Sequence, residues 1–366
     1  MKKQAVVSLF LSGSLLLTGC SSMLARSYSS VTIHSATPTV ESDQLTIRAE
    51  SYQDLVDALL YFVSQSRESG TIRIYNYPYD VEQDLAAACQ EVALEEPIGA
   101  YALENIRYDV APIVSCYEAT VELSYRRTPE QISAVVPATG ATAIRGELGI
   151  ALAAFQKESV LRISYFDEEE DVAYLQNLLW EAYLSRPETA LGFPKAAIQF
   201  YPEHGRHRIA EISLSYPLDK QELLRQKVQL SQLTTQLVHS LQGTMGDAGL
   251  LSIRSAILDT AAYAPDAGQT AYHALAEHRA DSLGLALTMS LLCQKQGLSC
   301  QLVEGTKDGV DHYWTIVSTQ EGYRHLDLSQ SLSSGESPFR SDRYMAEHGY
   351  GWDSASMPVC GEQPIS

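Results

Sequence analysis

Positive charge is scarce in this chain. Lys and Arg number 26 against 45 Asp and Glu, a formal net charge of −19 at pH 7. That balance argues against nucleic acid as a partner and against polybasic contact with anionic lipid. Long apolar runs are scarce too. Only residues 5–17 form an apolar stretch of note, and it is too short to span a bilayer comfortably. Metal-ligand spacing is missing among the six Cys. His273 and His278 are five apart and do not share a helical face. No metal and no cofactor is expected.

What is present at the start is a processing signal. Lys2 and Lys3 precede the apolar stretch, which ends in Leu17-Thr18-Gly19-Cys20. This resembles a bacterial lipobox. The resemblance implies a signal peptide over 1–19, cleavage before Cys20 and diacylation of its thiol. Two acyl chains give stable anchoring to a membrane. The body would then lie on the extracytoplasmic side of the bacterial cell envelope. Residues 20–45 are rich in Ser and Thr and predict a flexible tether spanning about 25–30 Å.

Five further cysteines remain, so at least one is unpaired in a monomer. An exported protein permits disulfides. Cys89 and Cys116, both in one unit, are the first pair to expect. Cys293 lies in an apolar helical run and reads as buried.

The middle of the chain holds an internal repeat. TIRIYNYPYD, VEQDLAAACQEVALEEP and YEATVELSY return as VLRISYFDEEED, VAYLQNLLWEAYLSRP and IAEISLSY. Arg73 falls with Arg162, Pro97 with Pro187 and Tyr125 with Tyr216, at spacings of 89, 90 and 91 by subtraction. Each copy predicts helix, strand, helix and a two-stranded hairpin. The period is too long for a solenoid, so two duplicated small α/β units are expected, over 46–137 and 138–225. Neither contains a catalytic motif. Asp167-Glu168-Glu169-Glu170-Asp171 reads as a solvated run ahead of a helix. His204, Arg206, His207 and Arg208 read as a basic hairpin tip around Gly205. Tyr75, Tyr77 and Tyr79 alternate as they would on one strand face. A bridging helix is predicted over 219–242, between Pro217 and Gly243.

The last third, assigned to 226–366, carries the chemistry. It contains Asp281-Ser282-Leu283-Gly284-Leu285-Ala286, then His312-Tyr313-Trp314, then Asp327. From about residue 246 to 360 this is similar to the transglutaminase-like (papain-type) family. That family runs Cys-x-Gly-Tyr-Ala into a buried helix, then His-Ala-Trp, then a strand carrying Asp. The resemblance implies an α+β chain ending in that core, with Ser282 in the place of the nucleophilic Cys and His312 and Asp327 as its partners. A helix N-terminus lowers a thiol's pKa and can cradle an oxyanion. Serine cannot form the thiolate–imidazolium pair and needs general-base help. Ser282 has a second reading as the helix N-cap. Cys293 and Cys300 are outside candidates for the nucleophile, but Cys293 lies eleven residues along, roughly 16 Å by helical rise. In the hairpin, a turn centred on Thr319-Gln320 would set His312 opposite Asp327. One centred on Gln320-Glu321 would set them diagonally on one face.

Two functions follow as expectations. One is a lipid-anchored surface protein whose core binds a peptide or cell-wall component without catalysis. The other is an acyl-transfer enzyme, a protease, amidase or transferase, using Ser282, His312 and Asp327.

Overall fold

The computed structural model describes residues 38–40, 46–164, 172–241, 243–333 and 336–361. Cys20, the signal segment and the acidic run 167–171 lie outside the described residues. The chain is mixed α/β, with helices packed on separate sheets. Among the described residues no helix is long and apolar enough to cross a membrane.

The first sheet has the order Thr39–Val40, Thr46–Ala49, Ser69–Ile74, Cys116–Tyr125, Leu103–Ile113. Part of the expected tether is therefore a strand, since Thr39 and Val40 pair with Arg48 and Ile47. The second sheet has the order Val136–Thr139, Glu158–Ser164, Arg208–Ser215, Lys195–Tyr201. Helix Tyr52–Ser64 joins the parallel pair 46–49 and 69–74, and helix Gly140–Ala153 joins the parallel pair 136–139 and 158–164. A second helix then leads to an antiparallel hairpin in each unit: Val81–Leu94 in one, Val172–Leu184 in the other. Arg48 pairs with Arg73, and Pro137 with Arg162. Arg73 faces Glu118, and Arg162 faces Ile209. Ser66 and Phe155 both take positive φ, 50° and 48°, just after their helices.

Each unit was expected to open on a helix, yet a strand comes first. Four residues offer too few alternations to stand out in a sequence. The tyrosines also differ from expectation. Their strand ends at Ile74, and Asn76 turns the chain with φ 49°. Tyr77 instead donates to Asp84 at 2.8 Å, and Tyr79 is exposed. Arg208 is not at a tip: it is buried in its strand with its guanidinium 4.4 Å from the Phe200 ring centre.

Helix Lys220–Ser240 is the bridge, capped by the Asp219 carboxylate on the Glu222 amide at 2.9 Å. It runs unbroken through the expected 225/226 boundary. Beyond it, helices Gly246–Thr260 and Ser282–Gln296 pack with a sheet ordered Gly322–Leu326, Val310–Thr319, Cys300–Lys307, Tyr350–Trp352. Residues 282–293 of the central helix are all buried. Leu283, Leu287 and Leu291 join a core with the second unit. Leu285, Met289 and Leu292 face Ile253, Ile257, Val317 and Leu326 on the other side. An apolar helix needs partners all round, and here it has them. All five described cysteines are free thiols, so the expected Cys89–Cys116 bond is not formed.

Candidate active site

The central helix starts where expected, but its cap is Asp281 and not Ser282. Asp281 has extended backbone, and its Oδ1 accepts the Gly284 amide at 2.9 Å. Gln269 Nε2 donates to the other oxygen at 3.0 Å. Asp281 wins because the N-cap must stand outside the helix, and Ser282 is already its first helical residue. Gly284 has a packing reason: a Cβ there would meet the Ala280 Cβ at 2.8 Å and the Gly268 carbonyl at 3.0 Å.

Ser282 Oγ accepts the backbone N–H of Tyr313 at 3.2 Å, and no hydrogen bond joins it to His312 among the described residues. The hydroxyl thus ties the helix start to the neighbouring strand. Exposure is 7% at Ser282, 5% at His312 and 4% at Asp327, so each of the three is buried.

His312 and Asp327 do meet. Nε2 donates to Asp327 Oδ2 at 3.0 Å. Thr319 pairs with Gly322 and Thr315 with Leu326, so the turn is centred on Gln320-Glu321 and the pair is diagonal on one face. The same register, continued three steps past Leu326, sets residue 329 across from 312. Ser329 is there. Its Oγ lies 3.2 Å from His312 Nε2 and donates to Asp327 Oδ1 at 2.8 Å. The Ser329 amide donates to Oδ1 at 2.8 Å, and Tyr350 OH donates to Oδ2 at 2.6 Å. Burial pushes the Asp327 carboxyl up, but the bonds from His312, Tyr350 and Ser329 outweigh it and hold the group below its usual range. Burial beside Asp327 pushes the Tyr350 phenol well up, so it remains a donor.

With Nε2 committed to Asp327, the His312 ring offers Nδ1 as its basic nitrogen. The pair can orient and hold a proton. Ser329 cannot serve as a nucleophile in a relay, because it and Asp327 address the same ring nitrogen. Gly305 lies opposite His312 on the next strand, where a Cβ would strike the Gly351 carbonyl at 2.3 Å and the Trp314 ring at 2.7 Å.

A second His–acid pair sits beneath. Trp314 stacks near His312 with ring centres 6.1 Å apart. Its Nε1 donates to His325 Nδ1 at 2.8 Å. His325 Nε2 then donates to Asp342 Oδ1 at 2.8 Å, and the Cys360 amide donates to Asp342 Oδ2 at 3.0 Å. Donor atoms of His325, Asp342 and Cys360 lie within 4.8 Å of one another, as a metal set would. The protons argue otherwise. A ring that accepts from Trp314 carries its own proton on Nε2 and has no lone pair for an ion. Burial pushes the Cys360 thiol up to about 12, so it stays protonated at neutral pH.

No family model matches the chain, and no curated protein matches it significantly. Solved structures do. A transglutaminase crystal structure is 12% identical, aligned over 67% of this chain and 70% of its own, with a TM-score of 0.28. A proposed cysteine protease from Cytophaga hutchinsonii is 10% identical over 46% and 70%, TM-score 0.26. A proposed protease from Parabacteroides distasonis is 8% identical over 74% and 44%, TM-score 0.23.

Ser329, Tyr350, Gln269 and the His325–Asp342 pair were not found from sequence. Ser329 had a signal, since Asp-x-Ser favours an Asp carboxylate accepting the amide two residues on. Tyr350 had none, because its strand is added from 23 residues further along. His273 and His278 stay apart: one bonds Thr270, the other the Thr260 carbonyl.

Proposed function

We propose that this chain is a membrane-anchored surface lipoprotein, held through a lipidated Cys20, whose last third is a transglutaminase-like core without catalysis. The core serves as a binding module for a peptide or cell-wall component. The observation that carries this reading is at Ser282: its hydroxyl accepts the Tyr313 amide instead of joining His312. A hydroxyl so held is structural, and oxygen at this place lacks the acidity that a helix N-terminus exploits in a thiol. The two preceding units are a duplication that supports the core. Their common strand order and the 89-residue shift from Arg48/Arg73 to Pro137/Arg162 favour this.

The intact His312–Asp327 bond favours a second reading, an acyl-transfer enzyme using Ser282. One experiment separates them. Ser282→Cys should place a thiol at a helix N-terminus beside His312. It should react with iodoacetamide at pH 7 faster than Cys293 or Cys300, and adding His312→Ala should slow it. Wild-type protein should give no acyl-enzyme burst with activated esters. A burst lost in Ser282→Ala would overturn the binding-module reading. For the anchor, intact-mass measurement on membrane-extracted protein should find Cys20 at the N-terminus carrying acyl chains; an unmodified Cys20 would end that part.

A further inference from the structure

Strand Leu103–Ile113 has 11 residues and lies at the outer edge of the first sheet, paired on one side only, with Cys116–Tyr125. Among the described residues, the other outer strands of this sheet and of the two four-stranded sheets have 7 residues or fewer. An open edge of this length is a template for another strand. Which residues face outward can be read from the register. Ile113 pairs with Cys116, which leaves Val114-Ser115 as a two-residue turn. The closing pair of such a hairpin exchanges both of its backbone bonds. The register then runs unshifted back to Asn105, so Ile113, Ala111, Asp109 and Arg107 bond inward. Ile106, Tyr108 and Val110 turn their N–H and C=O groups outward. Pro112 falls on the outward side too, where its missing N–H takes nothing from the sheet.

The side chains divide between two faces. Ile106 and Val110 pack partly against the first unit's core, and Tyr108 between them is exposed. Arg107 and Asp109 stand on the opposite face, both exposed, and neither makes an ion pair within its own chain among the described residues.

We propose that this edge pairs antiparallel with the same edge of a second copy, about a two-fold axis at Tyr108. Charge selects both the occupant and the register. With Tyr108 opposite its own counterpart, Arg107 of each copy stands opposite Asp109 of the other, and Ile106 opposite Val110. Opposite charges and apolar pairs directly across two strands are favourable, and like charges are not. An axis at Arg107 would oppose two arginines, and an axis at Asp109 two aspartates. Glu122, across from Arg107 within its own sheet, leaves that guanidinium between two carboxylates. The outward-facing residues then meet as hydrogen-bonded pairs, Tyr108 with Tyr108 and Ile106 with Val110, each exchanging both backbone bonds. The two five-stranded sheets become one continuous sheet. A strand pair of this length is a small interface, so association is expected in the micromolar range.

The test is sedimentation equilibrium of the full purified chain, in a solvent matched in density to the detergent. The mass should rise from one chain to two across the micromolar range. Arg107→Glu or Asp109→Arg sets like charges opposite at both pairs and should weaken the dimer by about tenfold or more. Arg107→Asp combined with Asp109→Arg restores opposite charges and should recover it. Tyr108→Cys should cross-link position 108 to itself in oxidised glutathione, because Cα atoms of a hydrogen-bonded pair lie about 5.5 Å apart, within the span of a disulfide. A chain that stays monomeric throughout overturns the proposal. So does a dimer indifferent to Arg107→Glu, a combined variant no tighter than the single ones, a Tyr108→Cys variant that dimerises without cross-linking there, or a mass gained from a foreign peptide instead of a second copy.

Discussion

At Asp327 four donors converge on two oxygens: His312 and Tyr350 on one, the Ser329 amide and hydroxyl on the other. A buried carboxylate so furnished stays ionised and fixes the ring that faces it. Its lowered pKa contributes stability above the unfolded value of about 3.9, lost as pH falls through the lower folded value. Tyr350→Phe removes one donor and should cost about 1–3 kcal/mol in urea unfolding at pH 7. The deficit should shrink at pH 3, where the wild-type advantage is itself fading. His325 is held neutral rather than ionised, yet its linkage has the same sign. Burial lowers its pKa against the pull of Asp342, so the fold loses stability as pH drops from about 6.5 towards the folded value. In His325→Gln, which can still accept from Trp314 and donate to Asp342, the unfolding free energy should vary less between pH 7 and 5. The meeting of His312 with Asp327 was legible because strand parity is local. The partner of Ser282 was not, since the Tyr313 amide is 31 residues away and a backbone donor leaves no trace in a side-chain pattern.

At the scale of the element, the central helix depends on its first turn. Asp281 joins the Gly284 amide to Gln269, so one side chain ends the helix and holds the preceding loop. Asp281→Ala should destabilise the fold by about 1–2 kcal/mol in denaturant titration. Asp281→Asn, which keeps an acceptor, should lose less. The long helix at 219 was readable from Asp219 and its period, because capping and amphipathicity act within a few residues. The four-residue strands opening each unit were unreadable. Their place is set by parallel pairing 25 positions away, such as Thr46 with Thr71, which no local window contains.

For the whole molecule, the unit boundaries are crossed by shared cores. Val160, Tyr201 and Ile209 pack into the first unit's core, while Leu283 and Leu287 complete the second's. Arg127 bonds Glu211 at 2.7 Å and Tyr201 at 3.1 Å across the first junction. At the second, Trp180 Nε1 donates to Glu304 at 2.7 Å. Units joined this way should unfold together. Circular dichroism and tryptophan fluorescence should give coincident transitions in urea, and Arg127→Ala, which strands Glu211 in a largely enclosed site, should lower the midpoint of both.

The hairpin turn at Gln320-Glu321 carries a consequence for descent. Strand faces alternate, so losing or gaining one residue there would carry Asp327 to the far side of the sheet. Two would slide it along the same side. Length changes at this turn can therefore be inherited only in even steps by any lineage that keeps the His312–Asp327 bond, whatever the chemistry at Ser282 has become.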